Sequence, residues 1–123
     1  MVAWGSKKFV MKCFNPLTQE VFAEDLKLND TFFSRLIGLM FKKSLPAGSG
    51  VVLKPCTQIH TCFMHFNIAV IFLNSNLEVL HFIENMPPWR ISPLFLKARY
   101  TVELPAGTLK GRLKKGDKLS LTL

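Results

Sequence analysis

The sequence predicts a mainly β protein, a compact antiparallel barrel or sandwich with one short helix in its N-terminal half. Short apolar or alternating runs recur along the chain between turn residues, and this spacing is typical of barrels and sandwiches. A single segment has helical spacing, and the chain shows neither an internal repeat nor a long linker. Its 123 residues fit one domain, 1–123, which is large enough to bury a core.

The predicted strands are separated by proline, glycine and asparagine. They are, in order, 9–14, 20–23, 51–53, 67–73, 77–83, 100–104 and 119–123. The segment 67–73 is apolar on both faces, which favours a central strand. Asn74-Ser75-Asn76 then supplies a turn into the alternating segment 77–83. These two segments predict the clearest β-hairpin of the chain.

A short helix is predicted over 31–37. Asn29 or Asp30 can cap its start, because a short polar side chain accepts a hydrogen bond from the first turn. Gly38 can end it, since glycine accepts the left-handed conformation that closes helices. The apolar residues of this segment recur at helical spacing, so we expect one face to be buried.

The composition limits the classes of protein. No apolar run approaches the roughly 18 residues of a membrane-spanning helix. The first residues lack the apolar stretch of an export signal, so we expect a cytoplasmic protein without a transmembrane segment. Cys13, Cys56 and Cys62 are too few and odd in number for a disulfide framework, and we expect reduced thiols.

The net charge is +8, from 16 Lys and Arg against 8 Asp and Glu. A basic surface attracts nucleic acid, acidic lipid or acidic protein. One candidate function is therefore a basic accessory protein that docks on an acidic surface through 110–118. That segment has no interleaved aromatic residues, which nucleic-acid grooves usually contain. A solvated basic face is the simpler interpretation.

Thiols and imidazoles are concentrated between residues 56 and 65. Cys56, His60, Cys62 and His65 are residue types that bind zinc, but neither a strand nor a helix would place all four on one face. We therefore predict no metal site and no cofactor, and expect the protein to fold without metal.

A cysteine and a histidine two residues apart could also form a nucleophile pair. Cys62 and His60 would then need an orienting group and an oxyanion site. A free cysteine is more often a small buried hydrophobe. We assign no catalytic residue, and a Cys/His-based enzyme or metal site around 56–65 stays an alternative to a non-enzymatic protein.

The predicted hairpin places the segments before 67 and after 83 at the same rim of the barrel. His60, Thr61 and Met64 precede this rim, and Trp89 follows it on a loop stiffened by two prolines. These four residues are the predicted ligand site. In the alternative interpretation, His60 and Thr61 only satisfy the backbone and Trp89 is a lid over the core.

Several separated motifs, taken together and in order, resemble one family. They are Arg35-Leu36-Ile37-Gly38-Leu39-Met40-Phe41-Lys42, Leu45-Pro46, Ile59-His60-Thr61-Cys62-Phe63-Met64, Pro87-Pro88-Trp89, Glu103-Leu104-Pro105-Ala106-Gly107 and Gly116-Asp117. Their order and spacing are similar to those of domain of unknown function 192, a set of small uncharacterised bacterial and archaeal proteins. The similar region covers about 9–123, and the resemblance implies a jelly-roll-like β domain without an established activity.

The chain departs from this family at one position. Members usually carry Pro-Ile-Asp-Val where this chain has Asn67-Ile68-Ala69-Val70, so a carboxylate is replaced by Ala69. In a Cys62 and His60 nucleophile pair, the orienting group could not be this aspartate, and Glu103 is a distant substitute for it. The predicted function is a binding module with a site at one barrel end, for an unknown small molecule or protein. An anionic surface or nucleic acid is a further candidate partner.

Overall fold

The computed structural model describes residues 11–31, 35 and 38–122. These residues form seven strands that join in one sheet, which confirms the prediction of a mainly β protein. The strands are β1 (Met11–Phe14), β2 (Val21–Asn29), β3 (Ser49–Leu53), β4 (Ile68–Leu73), β5 (Val79–Met86), β6 (Tyr100–Pro105) and β7 (Ser120–Thr122). Across the sheet their order is β5-β4-β6-β3-β2-β1-β7. None of the helices among these residues is long and apolar enough to cross a membrane.

The sheet curls until its two edges approach each other. Glu78, just before β5, forms an isolated antiparallel bridge with Lys118, just before β7. The N–H of Val79 also donates to the C=O of Asp117 at 2.8 Å. These contacts bring the two edge strands of the sheet into a barrel-like arrangement, which leaves less backbone exposed at the edges.

One strand pair departs from the predicted antiparallel arrangement. Strands β2 and β3 run parallel, from the pair Asp25 and Ser49 to the pair Asn29 and Leu53. A parallel pair needs a crossover of about a dozen residues or more, and the segment 30–48 provides it. The predicted helix at 31–37 falls in this crossover and lies mostly outside the described residues.

The predicted hairpin is confirmed. Strands β4 and β5 pair antiparallel, from Ile68 opposite Met86 to Leu73 opposite Val79. The side chain of Asn74 holds the turn, because its Oδ1 accepts the backbone N–H groups of Asn76 and Glu78, each at 2.9 Å. This is the local bonding that makes asparagine a frequent turn residue.

All six residues of β4 are buried, because both faces of the sheet are covered. Ala69, Ile71 and Leu73 face the side enclosed by the curl, here called the inner core. Val70 and Phe72, with Ile68, face the opposite side, here called the outer core. Three loop segments, 38–46, 54–66 and 86–98, contribute buried or half-buried residues to the outer core. A central strand with two apolar faces therefore organises both cores.

Candidate functional site

A pocket of about 300 Å³ opens beside the outer core, between β6 and the covering segments. Most of its wall is apolar. Its polar side chains include Arg35, Cys56, Gln58, His60 and Glu103. A mainly apolar pocket with a few convergent polar groups is the usual form of a small-molecule site, and this volume lies at the lower end of the usual range.

Strand β6 places Glu103 in the middle of the sheet. Its backbone lies between Val51 of β3 and Val70 of β4, both of which face the outer core. The neighbouring residues Val102 and Leu104 belong to the inner core, so the alternation of the strand directs Glu103 to the outer core. Its side chain is 3% exposed and lines the pocket.

The carboxyl of Glu103 is neutral at neutral pH. Burial raises its pKa to about 8, from an ordinary value of 4.5. The protonated form has one O–H donor and retains an acceptor oxygen. The pocket wall therefore includes a carboxyl that can both donate and accept a hydrogen bond.

Gly38 follows the predicted helix and lies close to this carboxyl. Its φ is +49°, a left-handed conformation in which glycine is unstrained. A Cβ atom at this position would stand 3.9 Å from Oε1 of Glu103. The glycine predicted as a helix end thus also leaves the wall open in front of the carboxyl.

Cys56 brings a half-buried thiol to the same pocket. Its Sγ–H donates to the C=O of Gln58 at 3.3 Å. Burial is the main cause that raises the pKa of this thiol. The Glu103 carboxylate raises it further once it is ionised, whereas the hydrogen bonds to Thr101 and Gln58 and the charge of Arg35 lower it. A cysteine with a raised pKa stays a thiol at neutral pH, so it is not an activated nucleophile.

His60 lines the pocket from the loop between β3 and β4. Its Nδ1 accepts the backbone N–H of Cys62 at 3.1 Å, so the neutral ring carries its proton on Nε2. His60 therefore bonds to the backbone amide of Cys62 and not to its thiol. Activation of the thiol as a nucleophile would require a hydrogen bond between the thiol and the imidazole. The backbone of His60 also forms an isolated antiparallel bridge with Ile91, in the segment after β5.

Thr61 fastens the two rim segments to each other. Its hydroxyl donates to the C=O of Pro87 at 2.7 Å and accepts the N–H of Arg90 at 2.9 Å. Its own C=O accepts the N–H of Trp89 at 3.0 Å. Thr61 is fully buried and lies outside the pocket wall, so it positions the segment 87–90.

Trp89 lies on the outer surface of the protein, on the segment 87–90 that Thr61 positions. Its side chain is 57% exposed, so it does not close the core as a lid. Its ring packs against Phe63 with the centroids 4.8 Å apart, and Phe63 in turn lies 5.5 Å from Phe41. Of the four predicted site residues, His60 and Met64 line the pocket, Thr61 supports it and Trp89 stands outside it.

Ala69, the position of the family's usual aspartate, belongs to the inner core. It pairs with Leu104 across β4 and β6, one residue from Glu103. Adjacent residues of a strand face opposite sides, so Ala69 and Glu103 are separated by the sheet. Glu103 is therefore no spatial replacement for a carboxylate at position 69.

Glu103, Cys56 and Arg35 line the pocket but were not among the four residues predicted to bind a ligand. Among the described residues there is no group of three or more His, Cys, Asp or Glu side chains close enough to hold a metal ion. The zinc-type residues at 56–65 are instead distributed, with His60 and Cys56 in the pocket wall and His65 exposed.

Comparisons with known proteins agree on one family. The model of domain of unknown function 192, described as "Uncharacterized ACR, COG1430", matches residues 16–121. A UPF0127 protein of Pyrococcus horikoshii is 39% identical over 102 residues, which cover 77% of this chain and 85% of the relative. A UPF0127 protein of Pyrococcus furiosus is 35% identical over 101 residues, with coverages of 77% and 84%.

Two solved structures have the same fold. One is a protein of unknown function from Novosphingobium aromaticivorans, with a TM-score of 0.76 and 20% identity over 89% of this chain and 82% of that chain. The other is from Sinorhizobium meliloti, with a TM-score of 0.74 and 20% identity over 90% of this chain and 91% of that chain. The match of the family model and the identity to the two Pyrococcus proteins show that the chain belongs to the family of domain of unknown function 192.

Proposed function

We propose that this protein is a binding module that holds a small neutral ligand in the pocket in front of Glu103. The observation that carries the proposal is a nearly fully buried carboxyl in the wall of a 300 Å³ pocket. Burying a carboxyl costs free energy, which hydrogen bonds to it reduce. A ligand that hydrogen-bonds to Glu103 would offset this cost.

The neutral carboxyl selects the ligand chemistry. It offers an O–H donor beside a carbonyl acceptor, and an amide offers the complementary pair, an acceptor beside an N–H donor. Two parallel hydrogen bonds would then join the amide to Glu103. The apolar wall, which includes Leu39 and Met64, favours a ligand whose remaining surface is apolar.

His60 and Met64 are the proposed ligand contacts from the loop between β3 and β4. The Nε2–H of His60 is available as a donor because Nδ1 is already bonded to the amide of Cys62. Thr61 and Trp89 are proposed to keep the rim in place rather than to contact the pocket ligand. Binding is favoured over catalysis because the Cys56 thiol has a raised pKa and stays protonated at neutral pH.

Nuclear magnetic resonance titration with matched probes tests this proposal. Benzamide is the probe, and toluene is its control, since it has nearly the same shape without the amide. We expect benzamide to shift the backbone amide signals of His60 and Glu103 at concentrations where toluene does not. Equal shifts with both compounds, or no shift near the pocket with benzamide, would contradict the amide-binding proposal.

The Glu103→Gln variant separates the role of the neutral carboxyl from that of pocket shape. Glutamine keeps a donor and an acceptor but does not titrate. The variant should bind benzamide at every pH, whereas the wild-type protein should lose affinity as Glu103 ionises above pH 8. If the two proteins show the same pH dependence, Glu103 is not the group that binds the probe.

A further inference from the structure

Exposed apolar side chains are concentrated on one side of the molecule. Eight large apolar side chains of the described residues are strongly exposed, and six of them lie on the segments that cover the outer core. We call these six the apolar ridge. They are Phe41, Phe63, Trp89, Ile91, Leu94 and Leu96. Exposed apolar side chains concentrated in this way often mark an interaction site.

The aromatic part of the apolar ridge is one continuous cluster. Phe63 lies between Phe41 and Trp89, with centroid distances of 5.5 Å and 4.8 Å. The three rings come from separate segments. The hydroxyl of Thr61 joins the segments of Phe63 and Trp89, and the N–H of Phe41 donates to the C=O of Phe63 at 3.1 Å. The cluster is therefore fixed by the fold.

The aliphatic part extends this cluster along the segment 89–96. Ser92, within this segment, and Ala98, just after it, are buried. The N–H of Ser92 donates to Ile59 and the N–H of Phe95 donates to Thr57, so the backbone is fastened to the loop that lines the pocket. Leu96 is 80% exposed, and the exposed side chains of this segment point away from the protein.

The charged residues of the segments that carry the apolar ridge have one sign. Between residues 31 and 77 the chain has no Asp or Glu, and the same is true from 86 to 102. Exposed cations flank the ridge in both segments, namely Lys42, Lys43, Arg90 and Lys97. An apolar surface with a cationic border complements a surface that is anionic outside and apolar beneath.

We propose that the apolar ridge docks this protein on the surface of an anionic lipid bilayer. Aromatic side chains partition to the boundary between headgroups and acyl chains, where Trp in particular is enriched. Leu and Ile side chains bury apolar area below the headgroups, while Lys and Arg interact with anionic lipids. Docking is a property of the surface beside the pocket and does not depend on the proposed pocket ligand.

The arrangement of the rings favours lipid over single-stranded nucleic acid. Proteins that bind single strands present separate aromatic platforms on which successive bases stack. Here the rings contact each other, and half of the apolar ridge is aliphatic. Aliphatic side chains contribute little to base stacking but contribute fully to insertion into acyl chains.

Vesicle sedimentation with two lipid compositions tests the proposal. We expect the protein to sediment with vesicles of equal parts phosphatidylcholine and phosphatidylserine, and much less with phosphatidylcholine alone. Added salt should weaken the binding, because it screens exposed charges. In a Trp4→Phe background, Trp89 is the single tryptophan, and its fluorescence should shift to shorter wavelength when the anionic vesicles are added.

Matched variants distinguish vesicle binding through the apolar ridge from vesicle binding through the net positive charge. Leu96→Ser should weaken sedimentation several-fold, whereas Leu17→Ser should not, because Leu17 is equally exposed but lies in the turn between β1 and β2. The double variant Lys42→Glu/Lys43→Glu should lose roughly tenfold or more in partitioning. Lys12→Glu/Lys110→Glu changes the net charge equally at exposed positions on β1 and after β6, and should lose much less.

Three results would overturn the proposal. The first is the absence of sedimentation with the anionic vesicles. The second is an equal loss in the two lysine double variants, which would assign the binding to net charge. The third is binding to a fluorescent oligothymidine that Trp89→Ala abolishes, without any vesicle binding, since this would assign the same surface to single-stranded nucleic acid.

Discussion

The hydroxyl of Thr61 accepts a hydrogen bond from the backbone N–H of Arg90 at a distance of 2.9 Å. The same hydroxyl donates to Pro87, and Thr61 is fully buried. One side chain therefore holds the segment after β5 against the loop before β4. The pocket wall at His60 and the aromatic cluster at Trp89 both depend on this connection.

Thr61→Val should destabilise the protein much more than Trp89→Ala. Valine keeps the shape of threonine but leaves two partly buried backbone groups, at Pro87 and Arg90, without their partner. We expect a loss of about 2–4 kcal/mol in the free energy of unfolding. Trp89→Ala removes a side chain that is more than half exposed, and should cost on the order of 1 kcal/mol.

Urea unfolding of the two variants and the wild-type protein measures this difference. Thr61→Ser is the matched control, since it keeps the hydroxyl and should retain most of the stability that valine loses. A loss above about 3 kcal/mol for Trp89→Ala, as in large-to-small core changes, would mean that the indole closes the core after all.

An insertion into the turn between β4 and β5 should be tolerated. A Gly-Ser pair placed between Ser75 and Asn76 lengthens an exposed loop, and the closure entropy of a loop grows slowly with its length. The loss of the Asn74 bonds to Asn76 and Glu78 adds to the cost. We expect a total near 1–2 kcal/mol in urea unfolding. The same pair inserted within β4 should abolish folding, and equal effects at both sites would contradict the hairpin topology.

Gly50→Ala should destabilise the sheet because β3 and β6 approach closely there. A Cβ atom at position 50 would collide with the backbone C=O of Glu103 and lie 2.8 Å from Cδ2 of Leu104. Over-packing of this kind costs about 1–3 kcal/mol. Gly48→Ala is the control, since nothing lies within 4 Å of its Cβ and only its φ of +83° opposes the change. A thermal midpoint that falls equally in both variants would show that β3 can move away from β6.

The strands and the hairpin could be predicted because their signal is local. The alternation of 77–83, the two-sided apolar pattern of β4 and the turn chemistry of Asn74 each depend on neighbours in sequence. The parallel pairing of β2 and β3 could not be predicted in this way. It depends on a long crossover, and the sequence pattern of a short strand does not state the direction of its partner.

Part of the candidate site could be predicted, because the hairpin that positions it has a local sequence signal. The hairpin argument brought His60 and Trp89 to one rim, but it contained no information on which side of the sheet each one faces. Glu103 was missed as a pocket residue although a signal existed. Val102 and Leu104 alternate with it in a strand that lies between two others, so the second face of that strand had to be buried as well.

The pH dependence of stability provides the most direct test of the buried carboxyl. The pKa of Glu103 is about 8 in the folded protein and near 4.5 when the chain is unfolded. Between these values the folded state holds a proton that the unfolded state has released. Glu103 therefore does not lower the free energy of unfolding below pH 4.5. The free energy of unfolding falls as the pH rises above 4.5, and the loss is complete once the pH exceeds 8. The full difference is on the order of 5 kcal/mol.

The Glu103→Gln variant isolates this contribution. Other groups titrate as well, including His81, whose pKa is lowered by burial, but they do so in both proteins and cancel in the difference. We therefore expect the urea midpoint of the wild-type protein to fall relative to that of Glu103→Gln between pH 5 and pH 9. Parallel profiles over this range would mean that Glu103 ionises in the folded protein near its ordinary pKa. The pocket wall would then present a charged carboxylate, which has no O–H to donate and would not select an amide.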